Sequence, residues 1–409
     1  MQLNFLMINQ PLNNRGDEAA HKALVRSILS SIPDSRIRVL FVGNDQNSID
    51  QFDVCNSRVS YINISALKRN IRRNFIRLLK LSFFFLRLHP TIRKILPLYQ
   101  RADIVLCAPG GICMGGFQNW EHIILLSVAK LANKPIAYYG RSIGPFPTIT
   151  FFNKVFKRKA VSLLNYFSFT ALRDSQSEKI ANALNVKYES TVDSVFLESP
   201  VVEIPKEISG LIGDKPYVVF VPNMLVWHYA YRGKASVEDV LSFYKKVLNI
   251  IISKYRGHNI IMLPQTFNYK KLDDGDINFF RKLKQYTQCQ SLIIIPDTCS
   301  SDIQQMIISK AECMIGARYH SVVFAINQAI PFVALSYEHK ISGLLESVNK
   351  LDSMVDITTA FDSEENMQNV LMRFEKTLNL ARKDIGAQQK AKKIARDCFD
   401  KFLKFCLGK

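Results

Sequence analysis

A chain of 409 residues with 48% hydrophobic and 22% charged side chains has a globular balance, and at ~150 residues per domain its length implies two domains rather than one core. The formal net charge of +19 raises nucleic acid as a partner, but no recognition motif is present and the aromatics cluster instead of interleaving with the charges, so nucleic acid is set aside. Eight cysteines without C-x-x-C pairing, among them Cys107 and Cys313 inside apolar runs, read as buried thiols in a reducing cytoplasm.

The chain opens on an apolar run, residues 3–8, with no basic n-region or small-residue cleavage site, so it reads as a first core strand rather than a signal peptide. Asn14-Arg15-Gly16-Asp17-Glu18 follows and opens a helix, with Asn14 or Asp17 as a possible cap and Gly16 permitting tight approach. After a second strand, residues 37–42, the charge becomes uneven. Eleven Lys or Arg and no acidic residue lie between Asp53 and Asp103. Within the insert 66–97, Arg69, Arg73, Arg77 and Lys80 recur at helical spacing opposite Ile71, Phe75, Leu78 and Leu79, and Phe83-Phe84-Phe85-Leu86 follows. Such a helix suits the surface of an anionic membrane or packs its apolar face on the core with arginines in solvent. No stretch reaches the ~18 uninterrupted apolar residues of a bilayer span.

Strand and helix patterns then alternate: a strand at 104–108 ending in the turn Pro109-Gly110-Gly111, a helix at 120–131, and a strand at 135–139 ending in the loop Gly140-Arg141-Ser142-Ile143-Gly144-Pro145. A helix near 154–165 and a strand at 167–171 before Arg173-Asp174 complete the first half. Alternation of this kind argues for a parallel sheet covered on both faces. Pro200, Pro205, Gly210, Gly213 and Pro216 break the periodicity, which places the domain boundary there and divides the chain into 1–198 and 199–409. The alternation restarts with strands at 217–221, 259–263 and 292–295 and helices at 237–255, 276–286 and 301–310. Charged helices follow residue 360, with Ile394, Phe399, Phe402 and Leu403 at helical spacing for packing across the domain boundary.

The densest candidate site is Gly316-Ala317-Arg318-Tyr319-His320-Ser321, between the apolar Cys313-Met314-Ile315 and the helix-like Val322-Val323-Phe324-Ala325-Ile326. Two cations two residues apart, where a strand end enters a helix, suit one small anion. After Pro331, the next strand delivers Tyr337-Glu338-His339-Lys340 at its carboxyl end, where ligands bind in open parallel sheets. Gly316 is read as permitting the strand-to-helix turn.

G-x-R-x-H followed by Pro and Y-x-x-K resembles the C-terminal signature of the polysaccharide pyruvyl transferase family. Asn14-Arg15-Gly16-Asp17, Pro109-Gly110-Gly111, residues 140–145, Arg173-Asp174-Ser175 and Asp193-Ser194-Val195-Phe196 extend the match in order. Pro109 stands where the family usually has a third glycine, and Arg141 where a glutamine is expected. The resemblance implies an α/β, GT-B-like fold of two Rossmann-like doubly wound domains facing a cleft, with the acceptor on the N-terminal side and phosphoenolpyruvate on the C-terminal side.

The implied reaction moves pyruvate from phosphoenolpyruvate onto two hydroxyls of a hexose in a surface polysaccharide precursor, lipid-linked if the basic segment meets the membrane. That chemistry requires cations for the donor's phosphate and carboxylate, a proton donor to its methylene carbon, and a base for the hydroxyls. Arg318 is the leading donor ligand because its planar fork binds an anion bidentately. Lys340 is a second, against a surface salt bridge; Arg173 a third, against a structural ion pair; and Arg141 adds a further cation. His320 is the candidate general acid or the group stabilising the leaving phosphate, and Asp17 the candidate base, against helix capping alone. Asn14, Gly110, Gly111 and Gln265 are candidate acceptor contacts. Trp227, His228, Tyr229 and Tyr231 either stack on a sugar or simply pack.

No nucleotide loop is present, since G-x-G-x-x-G and G-K-[ST] are both missing, and no cofactor is expected. Asp273, Asp274 and Asp276 lack the rest of a calcium loop, and metal independence is expected. The partners are then phosphoenolpyruvate, a hexose-containing acceptor and an anionic membrane surface, at a peripheral position on the inner face of the cytoplasmic membrane. Two rivals stay open: a glycosyltransferase of the same architecture using a nucleotide sugar, and a non-enzymatic membrane-associated anion-binding protein.

Overall fold

The structure is a computed structural model in which residues 2–43, 46–64, 89–116, 118–228, 231, 233–267 and 275–408 are described. The basic helical stretch with Arg69, Arg73, Arg77 and Lys80 lies outside the described residues, as do Tyr229, Asp273 and Asp274.

The chain divides into two compact units. The first comprises Met1–Leu12, Ala20–Glu198 and Lys393–Lys409; the second comprises Asn13–Ala19 and Ser199–Lys392. The break after Glu198 follows the loss of periodicity in the sequence, but neither unit is a continuous segment. The start of the first helix groups with the second unit, and the end of the last helix returns to the first. The division at 198/199 with everything after it in one domain is therefore corrected at these two places.

In the first unit the strands are β1 (Asn4–Ile8), β2 (Arg36–Val42), β3 (Val59–Ile64), β4 (Ile104–Cys107), β5 (Gly110–Met114), β6 (Ile136–Ile143), β7 (Phe169–Leu172) and β8 (Glu189–Ser190). They form one sheet in the order β3-β2-β1-β4-β6-β7-β8, with β5 also paired to β6, and every pairing is parallel. Continuous apolar runs are what such a sheet demands, because helices cover both faces: β4 and β6 are buried at every position. At the edge, β3 has no fully buried residue, which is why its weak pattern gave no strand in the sequence.

The segment Gly140-Arg141-Ser142-Ile143, expected as a loop, is instead the second half of β6. Gly140 adopts φ of 59°, and the register with β7 shifts between Tyr138 and Arg141. This is a glycine-borne bulge that re-aims the strand without ending it.

The return of the C-terminal helix to the first unit has an aromatic cause. In Ile385–Cys406, Phe402 packs its ring 6.5 Å from Phe5, 5.2 Å from Tyr139 and 5.5 Å from Phe169. Phe399 and Phe402 are fully buried, and each buried phenyl contributes about 1.5–3 kcal/mol.

The second unit carries β9 (Tyr217–Val221), β10 (Asn259–Met262), β11 (Leu292–Ile294), β12 (Met314–Gly316), β13 (Phe332–Ser336) and β14 (Met354–Asp356). Their order is β11-β10-β9-β12-β13-β14, all parallel. The order turns back between β9 and β12, and at such a switch point the carboxyl ends of the strands leave room for ligand. Gly316 and the residues after it stand at that end.

Two buried histidines of the first unit make stability depend on acid. Burial first, then Lys22 and Arg26, hold the His21 imidazole down to about 3, where its Nδ1 lies 2.8 Å from Gln10 Oε1. Burial and Arg141 hold His122 well below 6.5. For both, the folded pKa lies below the unfolded one, so the proton binds preferentially to the unfolded chain. Stability is complete above about pH 6.5 and falls as the pH drops through the interval below it, by about 1.4 kcal/mol per unit for each histidine. Urea unfolding midpoints measured across that interval should show this slope, and His21→Gln should reduce it by one proton's worth. A flat profile would mean that neither histidine is neutral in the folded chain.

Candidate active site

β12 is three residues long and ends where Ser321 presses against it. A Cβ built on Gly316 would lie 2.2 Å from Ser321 Oγ and 2.8 Å from Met314 Sδ. Its φ is ordinary, so glycine is required here for space, not for the turn conformation expected from the sequence. Arg318 is the N-cap of the helix Tyr319–Asn327 in extended conformation, and His320 occupies the first turn, 7% exposed.

The Arg318 fork is held from one side. Its Nη2 donates to Asp276 Oδ1 and, at 3.0 Å, to Thr266 Oγ1. Asp276 is 3% exposed, and its other oxygen accepts the backbone N–H groups of Gln265 and Thr266, each at 2.9 Å. That carboxylate is fully engaged, as a buried charge must be. Burial is the largest single influence on the guanidinium and lowers its pKa, but Asp276 together with Tyr337 and Tyr244 raises it on balance, so the group remains charged. Arg318 Nε is buried and makes no hydrogen bond among the described residues.

The Asn14-Arg15-Gly16-Asp17-Glu18 motif docks on the same loop. Arg15 N donates to Gln265 O at 2.9 Å, and Phe267 N to Asn13 O at 3.1 Å, around an antiparallel bridge between Asn14 and Thr266. Asn14 Oδ1 accepts from Gly16 N at 2.8 Å and Asp17 N at 3.4 Å, capping the helix Arg15–Ser31. The Arg15 guanidinium, 1% exposed, pairs with Glu18 at 2.5 Å and lies 4.4 Å from the centre of the Phe267 ring. Glu18 in turn accepts from Ser301 N and Oγ at 3.1 and 3.0 Å. Arg15 and Glu18 are thus the rivets that fix the loop.

Their effect is to set Gly16 against His320: an added Cβ would lie 1.7 Å from the imidazole Cγ. Two helix starts, at Arg15 and Tyr319, therefore meet at His320, and their dipoles favour negative charge there. Asp17 is 9% exposed in the same turn.

Of the sequence candidates, Arg318, His320, Asn14, Asp17 and Gln265 come together in the second unit. Lys340 sits in the helix His339–Ser347, with Nζ 3.4 Å from Glu338. Nearby Tyr337 lies edge-on to His228 at 5.1 Å and to Trp227 at 6.4 Å.

Three candidates are corrected. Arg141 is fully buried in β6 and spends its fork on the carbonyls of Asn9, Ala108 and Gly111 and on Cys113 Sγ. It ties strand ends together, and its fork is engaged by these groups rather than presented to a donor. Arg173 forms a buried ion pair with Asp193 at 2.6 Å and donates to Ser142 Oγ at 3.2 Å, the arrangement of a structural ion pair. Gln265, 1% exposed, donates its amide to Gln304 at 2.6 Å; its backbone shapes the site, but its side chain is not presented to an acceptor. Gly110, in the first unit, has φ of 157° and is crowded by Pro11, whereas Gly111 has open space around it.

The residue that sequence reasoning missed is Asp276. It was weighed as part of an acidic, metal-motif-like run in a loop, whereas it is the first residue of the helix Asp276–Thr287 and the partner of Arg318. Among the described residues, no group of His, Cys, Asp and Glu is arranged to hold a metal ion.

The model of the family described as "Polysaccharide pyruvyl transferase" matches residues 14–339. The chain belongs to the polysaccharide pyruvyl transferase family. Its match starts at Asn14 and ends at His339, so it takes in the Asn14 cap, Asp276, Arg318 and His320. A curated relative, "Amylovoran biosynthesis protein AmsJ" of Erwinia amylovora, is 21% identical over 383 residues, covering 87% of this chain and 88% of that one.

Among solved structures, UDP-GlcNAc 2-epimerase from Neisseria meningitidis bound to UDP-GlcNAc superimposes with a TM-score of 0.54 at 14% identity, over 98% of this chain and 100% of the other. UGT89C1 of Arabidopsis thaliana complexed with UDP gives 0.53 at 12% identity, over 99% and 100%. At such identities the likeness shows the fold alone, which is GT-B-like with two parallel-sheet domains. At family level the protein is a pyruvyltransferase of polysaccharide biosynthesis.

Proposed function

We propose that this pyruvyltransferase takes phosphoenolpyruvate as donor, builds a cyclic ketal across two hydroxyls of a hexose in a lipid-linked surface polysaccharide precursor, and releases phosphate. The observation that carries this reading is the Arg318 and His320 pair at the carboxyl end of β12, with Arg318 braced by Asp276 and its Nε free of hydrogen bonds among the described residues. A donor with two anionic groups needs a fixed guanidinium and a second cation, and Lys340 supplies the latter from the next strand end.

In this reading a proton passes to the methylene carbon, C2 becomes oxocarbenium-like, and one sugar hydroxyl adds to it. Phosphate then leaves as the second hydroxyl closes the ketal, and the two hydroxyl protons leave to base. In this reading His320 supplies the proton or stabilises the departing phosphate. Asp17, in the turn that abuts His320, is the base candidate, and Asn14 beside it is a candidate acceptor contact. The proposed reaction uses no metal or cofactor, and the proposed setting is the inner face of the cytoplasmic membrane.

The test is phosphate release from phosphoenolpyruvate with a panel of lipid-linked or aryl hexosides. Acceptor-dependent release should fall at least about 100-fold in Arg318→Ala and in His320→Ala. Asp276→Asn should raise KM for phosphoenolpyruvate more than it lowers kcat, because it loosens the fork without removing it. Thermal protection by nucleoside diphosphates with none by phosphoenolpyruvate would support a nucleotide-sugar transferase instead.

A further inference from the structure

The first unit carries an apolar tip that the proposed chemistry does not use. Ile149 is 91% exposed, Phe151 65% and Phe152 45%, three large apolar side chains within four residues at the start of the helix Phe151–Leu164. Large apolar groups gathered in this way mark an interaction surface. The tip is held firmly: Thr150 and Asn153 form a reciprocal capping box, Asn153 N donating to Thr150 Oγ1 at 3.1 Å and Thr150 N to Asn153 Oδ1 at 3.0 Å. Its root is anchored by Phe156, fully buried and 5.1 Å from the Trp120 ring.

The charge beside the tip has one sign. Lys154, Lys157 and Arg158 line a shallow groove of about 330 Å³ together with Thr148, Val161 and Leu184. No Asp or Glu occurs between Glu121 and Asp174. We infer that Ile149 and Phe151, flanked by Lys154, Lys157 and Arg158, form a docking element for an anionic lipid bilayer, the apolar tip entering the acyl boundary and the cations meeting lipid phosphates. A protruding apolar point with a basic collar is the arrangement that partitions into an anionic interface. A second copy of this chain would bring the same cations against themselves, at a net charge of +19, so self-association does not fit the charge.

The inference is independent of the phosphoenolpyruvate reading, and its test contains no donor, so the two fail separately. Full-length protein is sedimented with phosphatidylcholine vesicles containing or lacking phosphatidylglycerol. Wild type should bind the anionic vesicles and bind the neutral ones weakly. The Ile149→Ser/Phe151→Ser variant should lose about tenfold or more in partitioning, and the Lys154→Glu/Lys157→Glu/Arg158→Glu variant should lose the preference for phosphatidylglycerol. The substituted apolar side chains are exposed, so unchanged far-UV circular dichroism and melting are expected and are measured alongside. Absence of wild-type binding overturns the inference. So does wild-type-like binding by the Ser variant, which would move the anchor elsewhere, and so does a dimer in solution that the Ser variant dissolves.

Discussion

Gly16→Ala should abolish turnover, cutting acceptor-dependent phosphate release at least about 100-fold. The new methyl carbon would lie 1.7 Å from Cγ, 1.9 Å from Nδ1 and 2.3 Å from Cδ2 of the His320 ring. No side-chain Cβ tolerates such distances, and the obstacle is the body of a buried ring, which cannot bend aside as a lysine tip would. Either the first turn of Arg15–Ser31 or the imidazole must move, and both belong to the site. Overpacking of this kind costs about 1–3 kcal/mol in stability as well. A double-mutant cycle separates the two effects: in a His320→Ala background the stability cost of Gly16→Ala should shrink markedly, since the obstructing ring is gone. Gly210→Ala is the control, because an added Cβ there meets nothing within 4 Å. Equal activity in Gly16→Ala and wild type would show that the first turn of the helix does not abut His320 in solution.

Arg173→Ala should destabilise the protein by about 3–5 kcal/mol, because it strands the carboxylate of Asp193, which has no exposed surface. That is a large part of the 5–15 kcal/mol by which a typical domain is stable. Asp193 also accepts from Val195 N at 3.2 Å and so caps the short turn Ser194–Leu197. Removing both charges with Arg173→Met/Asp193→Asn should recover part of the loss. Chemical denaturation of wild type, Arg173→Met, Asp193→Asn and the double variant gives the coupling directly. Were Arg173 a donor ligand, Arg173→Ala would instead melt like wild type and show only a raised KM for phosphoenolpyruvate.

The contrast between Arg173 and Arg318 shows what could be read in advance. Both follow an apolar strand, both precede a helix, and both fall in the ordered motifs of one family. What distinguishes them is the acid each meets. Asp193 neutralises Arg173 in a site with no room left. Asp276 takes one nitrogen of Arg318 and leaves Nε unbonded among the described residues. Arg141 departs further: no acid was visible near it in sequence, and its charge is absorbed by backbone carbonyls at the ends of β1, β4 and β5. Asp276 was overlooked for the same reason, since an acid at a helix start has an ordinary local explanation in the helix dipole.

The sequence by itself determined the two parallel sheets, the position of the break near residue 198 and the place of Arg318 and His320 at a strand end. These follow from local order: unbroken apolar runs can be buried only as central parallel strands, and a short polar motif after such a run must lie at its carboxyl end. Tertiary structure alone decided which acid or carbonyl each arginine meets, why Gly16 and Gly316 are glycines, and that the chain crosses between units at its first and last helices. Those outcomes depend on pairings between residues far apart in the chain. A charge is legible in one dimension, but the group that neutralises it, or the ring that fills the space beside it, is fixed only when the chain has packed.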